Sequence, residues 1–184
     1  MKYFLLFALF FITSCNVEKK IWTFLVKYVT KEGAAGIMSG LYELSRLQSD
    51  NYTPTHGNRI DWDLDKEEYI KLVNDGTYSR YNFINDGAGF GIGDWSYHTK
   101  KGVLYDKCKG KIADLNCQLQ YLLQEFKTDF AKLFSYFKSS HNLKECSRRI
   151  YTDYIFGVIT EEKENRLYQT SLLYYNTYKS LEIN

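Results

Sequence analysis

Two carboxylates in this chain follow glycines at spacings that could shape a site for acid–base chemistry. Asp94 ends the glycine-rich run 87–93 and is followed directly by Trp95. Glycine costs conformational entropy wherever it is placed. So many glycines in one run therefore indicate either a backbone that needs positive φ or one that another group must approach closely. A glycine-rich turn is the simpler interpretation of the same residues. Because carboxyl groups serve as general acids and bases, Asp94 is a candidate catalytic residue.

Glu43 is the second candidate acid. It follows Gly36 and Gly40 on one stripe of a predicted helix, where two absent side chains would let another element or a ligand lie close. The neighbouring stripe is apolar and predicts a face turned to the core, with Ile37, Leu41, Leu44 and Leu47.

Helical spacing predicts most of the elements that must position these acids. An amphipathic helix is predicted over Ile21–Val29, and the composition of Ser49–Asp63 predicts a loop. Asp65, with Glu68 three residues later, predicts the start of a further helix. Residues Tyr78–Asn85 read as a short strand or extended loop that leads into the glycines. Later helices are expected over Thr99–Lys107, Leu115–Phe126, Phe130–Phe137, Leu143–Phe156 and Glu161–Leu181. The predicted fold class is α+β, mostly α-helical, with a small extended or hairpin insert.

Length and composition limit the classes of protein that remain. The 184 residues predict a single folded domain over 21–184, because no repeat, low-complexity tract or linker interrupts the chain. The formal net charge of +2 provides no basic field of the kind that drives nucleic-acid binding. We therefore expect no nucleic-acid partner.

Cysteines and histidines predict no metal site and no cofactor. If Cys15 carries lipid, as predicted below, three cysteines remain. They allow at most one disulfide and leave one free thiol. Their spacing matches no zinc pattern, and the three histidines pair with no cysteine or glutamate at ligand spacing. The pairing stays open among Cys108, Cys117 and Cys146.

The N-terminal residues predict export and lipid anchoring. Lys2 precedes the apolar run Tyr3–Phe11, which is too short to span a bilayer as a mature helix. The following Ile12-Thr13-Ser14-Cys15 resembles the lipobox of bacterial lipoproteins. We predict a signal peptide over 1–14, a lipidated Cys15 that anchors the protein to a membrane, and a polar tether over 15–20. An ordinary secretory signal with an incidental cysteine is the alternative.

Several segments together resemble the phage tail lysozyme family. The stretch 33–42, GAAGIMSGLY, is close to the family signature G-x-A-G-I-M-G-N-L-Y, and 83–92, FINDGAGFGI, follows the approach to G-Y-G-L-x-Q-W. Residues 21–25 resemble the opening helix, and weaker likeness continues through 151–154 to the C-terminal helix. The resemblance covers nearly all of the chain after the signal segment.

The resemblance implies a lysozyme-like fold that acts on peptidoglycan. In such enzymes a glutamic acid near the end of the second helix protonates the glycosidic oxygen, and the glycine-rich strand lines the cleft. Such an acid must keep its proton near neutral pH, which requires an apolar surround that raises its pKa. The implied substrate-binding residues are Tyr42, Gly89, Phe90, Gly91, Trp95 and Tyr97.

The sequence departs from the family at the acid itself. Matching the signature L-Y-A-E-S-G-L through Leu41, Tyr42 and Ser45 places the catalytic glutamate at Leu44, one residue after Glu43. One residue along a helix is a rotation of about 100°, which turns a side chain to another face. Asp94 also stands where the family has the glutamine of Q-W.

Two functions therefore stay open. The first is a hydrolase in which Glu43 or Asp94 supplies the acid, with Asp61, Asp63 or Asp86 as partner carboxylate. The second is a catalytically inactive relative that binds cell-wall glycan or a protein through its aromatic side chains, with Tyr52 among them.

Overall fold

A computed structural model describes residues 16–54 and 64–181, and most of these are helical. The mostly helical fold with a small antiparallel pair of strands is the architecture predicted above. The strands are β1 (Tyr52–Thr53) and β2 (Gly89–Phe90). The helices are α1 (16–25), α2 (Lys31–Ser45), α3 (Lys66–Asp75), α4 (Arg80–Asn85), α5 (His98–Lys107), α6 (Leu115–Thr128), α7 (Ala131–Ser139), α8 (Leu143–Arg149), a π-helical turn (Ile150–Tyr154) and α9 (Glu161–Tyr178).

The chain divides into two compact units. The first comprises the described residues up to Tyr42 and those from Asp129 onward, and the second is Glu43–Thr128. The predicted signal peptide and Cys15 lie outside the described residues, whereas 16–20, expected as part of a tether, belong to α1. None of the helices among the described residues is long and apolar enough to cross a membrane.

In the first unit, the small residues of α2 form a helix-packing face. A Cβ added to Gly36 would lie 2.7 Å from Cβ of Cys146 on α8, and one added to Gly40 would lie 2.6 Å from Cγ1 of Ile150. Of the two alternatives predicted for this stripe, another element and not a ligand lies close to Gly36 and Gly40, because neighbouring side chains occupy the space. The buried core around it includes Ile21, Trp22, Ile37, Met38, Leu41, Phe137, Leu167 and Tyr174.

In the second unit, side-chain caps determine where two helices begin. Asp65 accepts a hydrogen bond from the Glu68 backbone N–H at 2.7 Å, which confirms the predicted start of α3. Ser79 caps α4 in the same way, through the Asn82 N–H. The strand or extended loop expected over Tyr78–Asn85 is therefore wrong, because this cap starts a short helix that buries Phe83.

The glycine-rich run forms β2 and a tight turn. Tyr52 pairs with Phe90 in the antiparallel register of β1 and β2. Phe90 also exchanges two backbone hydrogen bonds with Trp95, of 3.2 and 3.0 Å, which close a turn over residues 91–94. Gly91 has φ +75° there, a conformation that favours glycine. The predicted backbone need for positive φ is thus met within this turn.

A disulfide joins the end of α5 to α6. It links Cys108 to Cys117, while Cys146 is a buried free thiol in the first unit. The structure thus selects one of the pairings that the sequence left open. Burial raises the pKa of the Cys146 thiol to about 11, which keeps it protonated and unreactive.

Candidate active site

Asp94 occupies the last position of the tight turn, with its carboxylate folded back over β2. Its Oδ1 accepts a hydrogen bond from Asn51 Nδ2 at 2.9 Å. A Cβ added to Gly89 would lie 2.2 Å from the same oxygen, so only glycine leaves room for the carboxylate here. The Asn51 carbonyl also accepts the Gly91 N–H at 2.9 Å. Asn51 therefore holds both the turn and its acid.

The surroundings of Asp94 favour its protonated form. Burial raises the pKa of this half-buried carboxyl group, and this effect outweighs the hydrogen bonds from Thr53 and Asn51 and the positive charge of Lys101. A general acid must carry its proton near the working pH, which requires a pKa raised in this direction. The pKa of Asp94 is therefore shifted in the direction that a catalytic acid needs.

Asp86, at the start of the same stretch, is surrounded by donors. Its carboxylate accepts the Tyr69 hydroxyl at 2.7 Å, the Tyr78 hydroxyl at 3.3 Å and the Ala88 N–H at 2.9 Å. It also pairs with the fully buried ammonium of Lys101. Asp86, considered above as a partner carboxylate, is therefore engaged in fixing α3, α5 and the glycine stretch to one another.

Phe90 and Trp95 lie in the core of the second unit. Phe90 is 0% exposed and Trp95 4%, and the Trp95 ring packs against Tyr121 with centroids 4.8 Å apart. Trp95 Nε1 donates to Glu125 Oε2 on α6 at 2.7 Å. These two aromatic faces, expected to stack on sugar rings, are instead covered by protein. Their burial fixes the backbone on either side of the turn that carries Asp94.

Gln118 on α6 holds the apex of the turn. Its Oε1 accepts the Ile92 N–H at 2.9 Å, and its Nε2 donates to the Ser49 and Ile112 carbonyls, each at 2.7 Å. A Cβ added to Gly91 would lie 2.7 Å from Gln118 Oε1. The Gln118 side chain is fully buried, and backbone groups provide the hydrogen-bond partners of its amide.

The sequence pattern did not predict Gln118, Glu125 and Lys101 as site residues. Gln118 and Glu125 fall on the apolar stripe of α6, and Lys101 on that of α5. A polar residue at an otherwise apolar helical position is the signal that could have identified them, because it must find partners when it is buried.

Glu43 and Leu44 lie near the C-terminal end of α2, and both are half-buried. The next residue, Ser45, is buried and donates from Oγ to the Ile92 carbonyl at 2.9 Å. The end of α2 is thereby attached to the glycine turn. Leu47, expected on the same helical stripe, lies beyond the helix end with φ +62°.

The remaining candidates are dispersed. Gly89, Gly91 and Asp94 lie together on β2 and its turn, and Tyr97 follows with its side chain 75% exposed. Tyr42 belongs to the first unit, where its ring lies 6.5 Å from that of Tyr174. Asp61, Asp63 and Cys15 lie outside the described residues. Within residues 16–54 and 64–181, no group of three or more His, Cys, Asp or Glu side chains could hold a metal ion.

Comparison with known proteins identifies one match. A family model described as phage tail lysozyme matches residues 16–171. No curated protein and no solved structure matches the chain.

Proposed function

The chain belongs to the phage tail lysozyme family, and on that premise we propose that it acts on bacterial peptidoglycan and cleaves the glycan strand. Asp94 serves as the general acid that protonates the glycosidic oxygen. Glu43 supplies the second carboxylate that glycoside hydrolysis requires. The exposed ring of Tyr97, close to Asp94 in the chain, offers a surface on which a sugar can stack.

The environment of Asp94 is the main support for this proposal. Its carboxyl group is half-buried, its pKa is raised by that burial, and its oxygen lies against a glycine that has no side chain to displace it. Glu43 supports the proposal by position, since Ser45, two residues later, binds the same turn at Ile92. In this arrangement Asp94 gives its proton to the leaving oxygen, and Glu43 acts on the water or the sugar carbon.

Release of new reducing ends from purified peptidoglycan tests the proposal. Asp94→Asn should lower the rate by about 10²- to 10⁴-fold, because it removes a general acid. Glu67→Gln, which neutralises an exposed carboxylate of the same unit, is the matched control and should leave the rate unchanged. Cleavage by the wild type that survives both Asp94→Asn and Glu43→Gln would overturn the assignment.

Gly89→Ala provides a second test that keeps the carboxylate. The added methyl group would lie 2.2 Å from Asp94 Oδ1, so the carboxylate must move away from its position over β2. We expect the rate of reducing-end release to fall although every acidic residue is present. An unchanged rate would show that the position of Asp94 over Gly89 has no catalytic importance.

A binding function without hydrolysis is the second proposal, and Leu44 favours it. The family signature has its catalytic glutamate at this position, and a leucine cannot transfer a proton. Under this proposal the wild type binds insoluble peptidoglycan and releases no reducing ends. Leu44→Glu should then introduce cleavage, because the half-buried position would acquire the missing acid. Binding without any gain from Leu44→Glu would contradict a simple loss of the family's acid.

We also propose that the protein is exported, anchored to a membrane through lipid on Cys15, and folded as one domain over 21–184. The lipobox-like residues before Cys15 support the anchor, and the Cys108–Cys117 disulfide is of the kind that persists in oxidising compartments. Labelled fatty acid should be incorporated into the wild type and not into Cys15→Ser. Equal labelling of both proteins would exclude lipidation at Cys15.

A further inference from the structure

The ammonium of Lys101 is buried within the second unit. It is 0% exposed and donates to the Asp86 carboxylate, to the Ala88 carbonyl at 2.9 Å and to the Tyr69 hydroxyl at 3.3 Å. The ring of Phe83 lies 4.2 Å from its nitrogen. A lysine carries three N–H donors, so these acceptors satisfy the whole group.

The contact with Ala88 connects Lys101 to the candidate acid. Ala88 precedes Gly89, whose Cα lies directly beneath the Asp94 carboxylate, since a Cβ there would approach Oδ1 to 2.2 Å. A lysine that fixes the Ala88 carbonyl therefore fixes the surface on which Asp94 rests. The Asp86 contact to the Ala88 N–H fixes the same peptide segment from its other side.

We propose that Lys101 is a positioning residue for Asp94: its ammonium holds the backbone beneath the acid, and its positive charge acts on the Asp94 carboxyl group. The proposal rests on the function assigned to Asp94 above. The positive charge of Lys101 opposes the effect of burial on the pKa of Asp94. Lys101 thereby limits how far burial can raise that pKa and sets the upper pH at which the acid keeps its proton.

The other titratable groups around Lys101 do not replace this effect. They are Asp86 before β2, Tyr69 on α3 and Tyr78 between α3 and α4, and the charge of Asp86 in turn acts on Tyr52 on β1. Burial raises the pKa of Tyr69 and that of Tyr52, so both hydroxyls stay neutral wherever the carboxyl groups titrate.

Site-resolved titration of the Asp94 carboxyl carbon by NMR tests the proposal. Lys101→Met removes the charge and should move the Asp94 midpoint to higher pH, whereas Lys101→Arg should restore it towards the wild-type value. Arg80→Met is the matched control, because Arg80 pairs with Asp106 across α4 and α5 at the exposed surface. It should leave the midpoint unchanged. An identical Asp94 midpoint in wild type and Lys101→Met would overturn the proposal.

Two further measurements keep the test decisive if Lys101→Met fails to fold. The double variant Lys101→Met/Asp86→Asn removes both charges of the buried pair, and the Asp94 midpoint should still move upward in it. In the wild type, the ¹⁵N shift of the Lys101 ammonium should change as Asp94 titrates, and that step should vanish in Asp94→Asn. An ammonium shift that shows no such step would contradict the proposal without any variant at Lys101.

Activity separates this inference from the proposed function. If the wild type cleaves glycan, the upper pH limit of cleavage should move upward in Lys101→Met together with the Asp94 midpoint. If the wild type cleaves nothing, the proposed hydrolysis fails, and the titration still decides whether Lys101 positions Asp94.

Discussion

Asp86 and Asp94 lie at the two ends of one glycine-rich stretch, yet their surroundings differ. Asp86 is 8% exposed, accepts bonds from two tyrosines and one backbone N–H, and pairs with Lys101. Asp94 is half-buried and its direct partners are the neutral side chains of Asn51 and Thr53. The difference shows how one segment can hold one carboxylate in a buried ion pair and leave another half-buried among neutral hydrogen-bond partners.

The backbone supports the same distinction. Asp94 has φ +47°, in the left-handed region that few residues other than glycine and asparagine adopt without cost. Strain of this kind persists only where the surroundings impose it, and it is common at functional sites. The surroundings here are the buried Trp95 on one side of the turn and Gln118 at its apex.

The largest predicted effect is on the structural carboxylate. Asp86→Asn leaves the buried Lys101 ammonium without its counter-charge, which should lower the free energy of unfolding by about 3–5 kcal/mol. Asp94→Asn should change it by less than about 1 kcal/mol, because asparagine tolerates the left-handed conformation and no buried cation loses a partner. Urea unfolding of the two variants measures both values. A similar loss in both would remove the distinction between the two acids.

The disulfide should contribute the next largest effect. Replacing Cys108 and Cys117 by serine removes the link between α5 and α6 and should lower the free energy of unfolding by about 2–4 kcal/mol. Because the hydrogen-bond partners of Asp94 are Asn51 and Thr53, outside both helices, we expect the Asp94 titration to keep its wild-type midpoint. Urea unfolding and NMR titration of the same variant provide the two readouts. A shifted midpoint would mean that the helices carrying Lys101 and Gln118 need the disulfide to position the turn.

A smaller effect is predicted for the indole that follows Asp94. Trp95→Phe removes the hydrogen bond to the buried Glu125, which then keeps its ion pair with Lys100 at 2.7 Å. The loss of one partner of a buried acceptor costs about 1–3 kcal/mol. Tyr97→Phe, at an exposed ring, is the control for thermal unfolding and should have little effect. Equal melting temperatures for wild type and Trp95→Phe would contradict the anchoring role of the indole.

The smallest effect is the pH dependence of stability that Asp94 contributes. Its pKa is raised in the folded state by burial, so the folded protein binds this proton more tightly than the unfolded chain. Its contribution is therefore fully present below the unfolded value near 4 and is lost as pH rises through the folded pKa. The unfolding free energy of wild type minus that of Asp94→Asn should decrease across this range. An increase would reverse the sign and contradict a raised pKa.

Periodicity and capping predicted much of the helical framework. The leucine stripe of α6 and the Asp65 cap of α3 are local features, because each depends on residues within a few positions of one another. Residues Tyr78–Asn85 were assigned wrongly because a short segment has little periodicity, and a single serine cap decides its conformation. Three cysteines can form at most one disulfide, and this follows from the sequence. That Cys108 pairs with Cys117 and not with Cys146 depends on the packing of α5 on α6.

The site was less predictable, because its organisation depends on contacts between distant residues. The glycine run and Asp94 were identified from their spacing in the chain and from the family resemblance. Gly36 packs against Cys146, and Trp95 donates a hydrogen bond to Glu125. Both contacts depend on which elements pack together, and a sequence pattern does not specify the partner. The roles of Lys101 and Gln118 follow from burial, which turns an ordinary polar side chain into one that must bind the backbone.

The pH dependence of glycan cleavage tests the central assignment most directly. The initial rate of reducing-end release by the wild type should fall on the alkaline side with the midpoint of the Asp94 carboxyl titration, because Asp94 must be protonated to act. Asp94→Asn should lose both the rate and this limb of the profile, while Glu67→Gln keeps both. An alkaline limb that persists in Asp94→Asn at an undiminished rate would contradict the assignment of Asp94 as the acid.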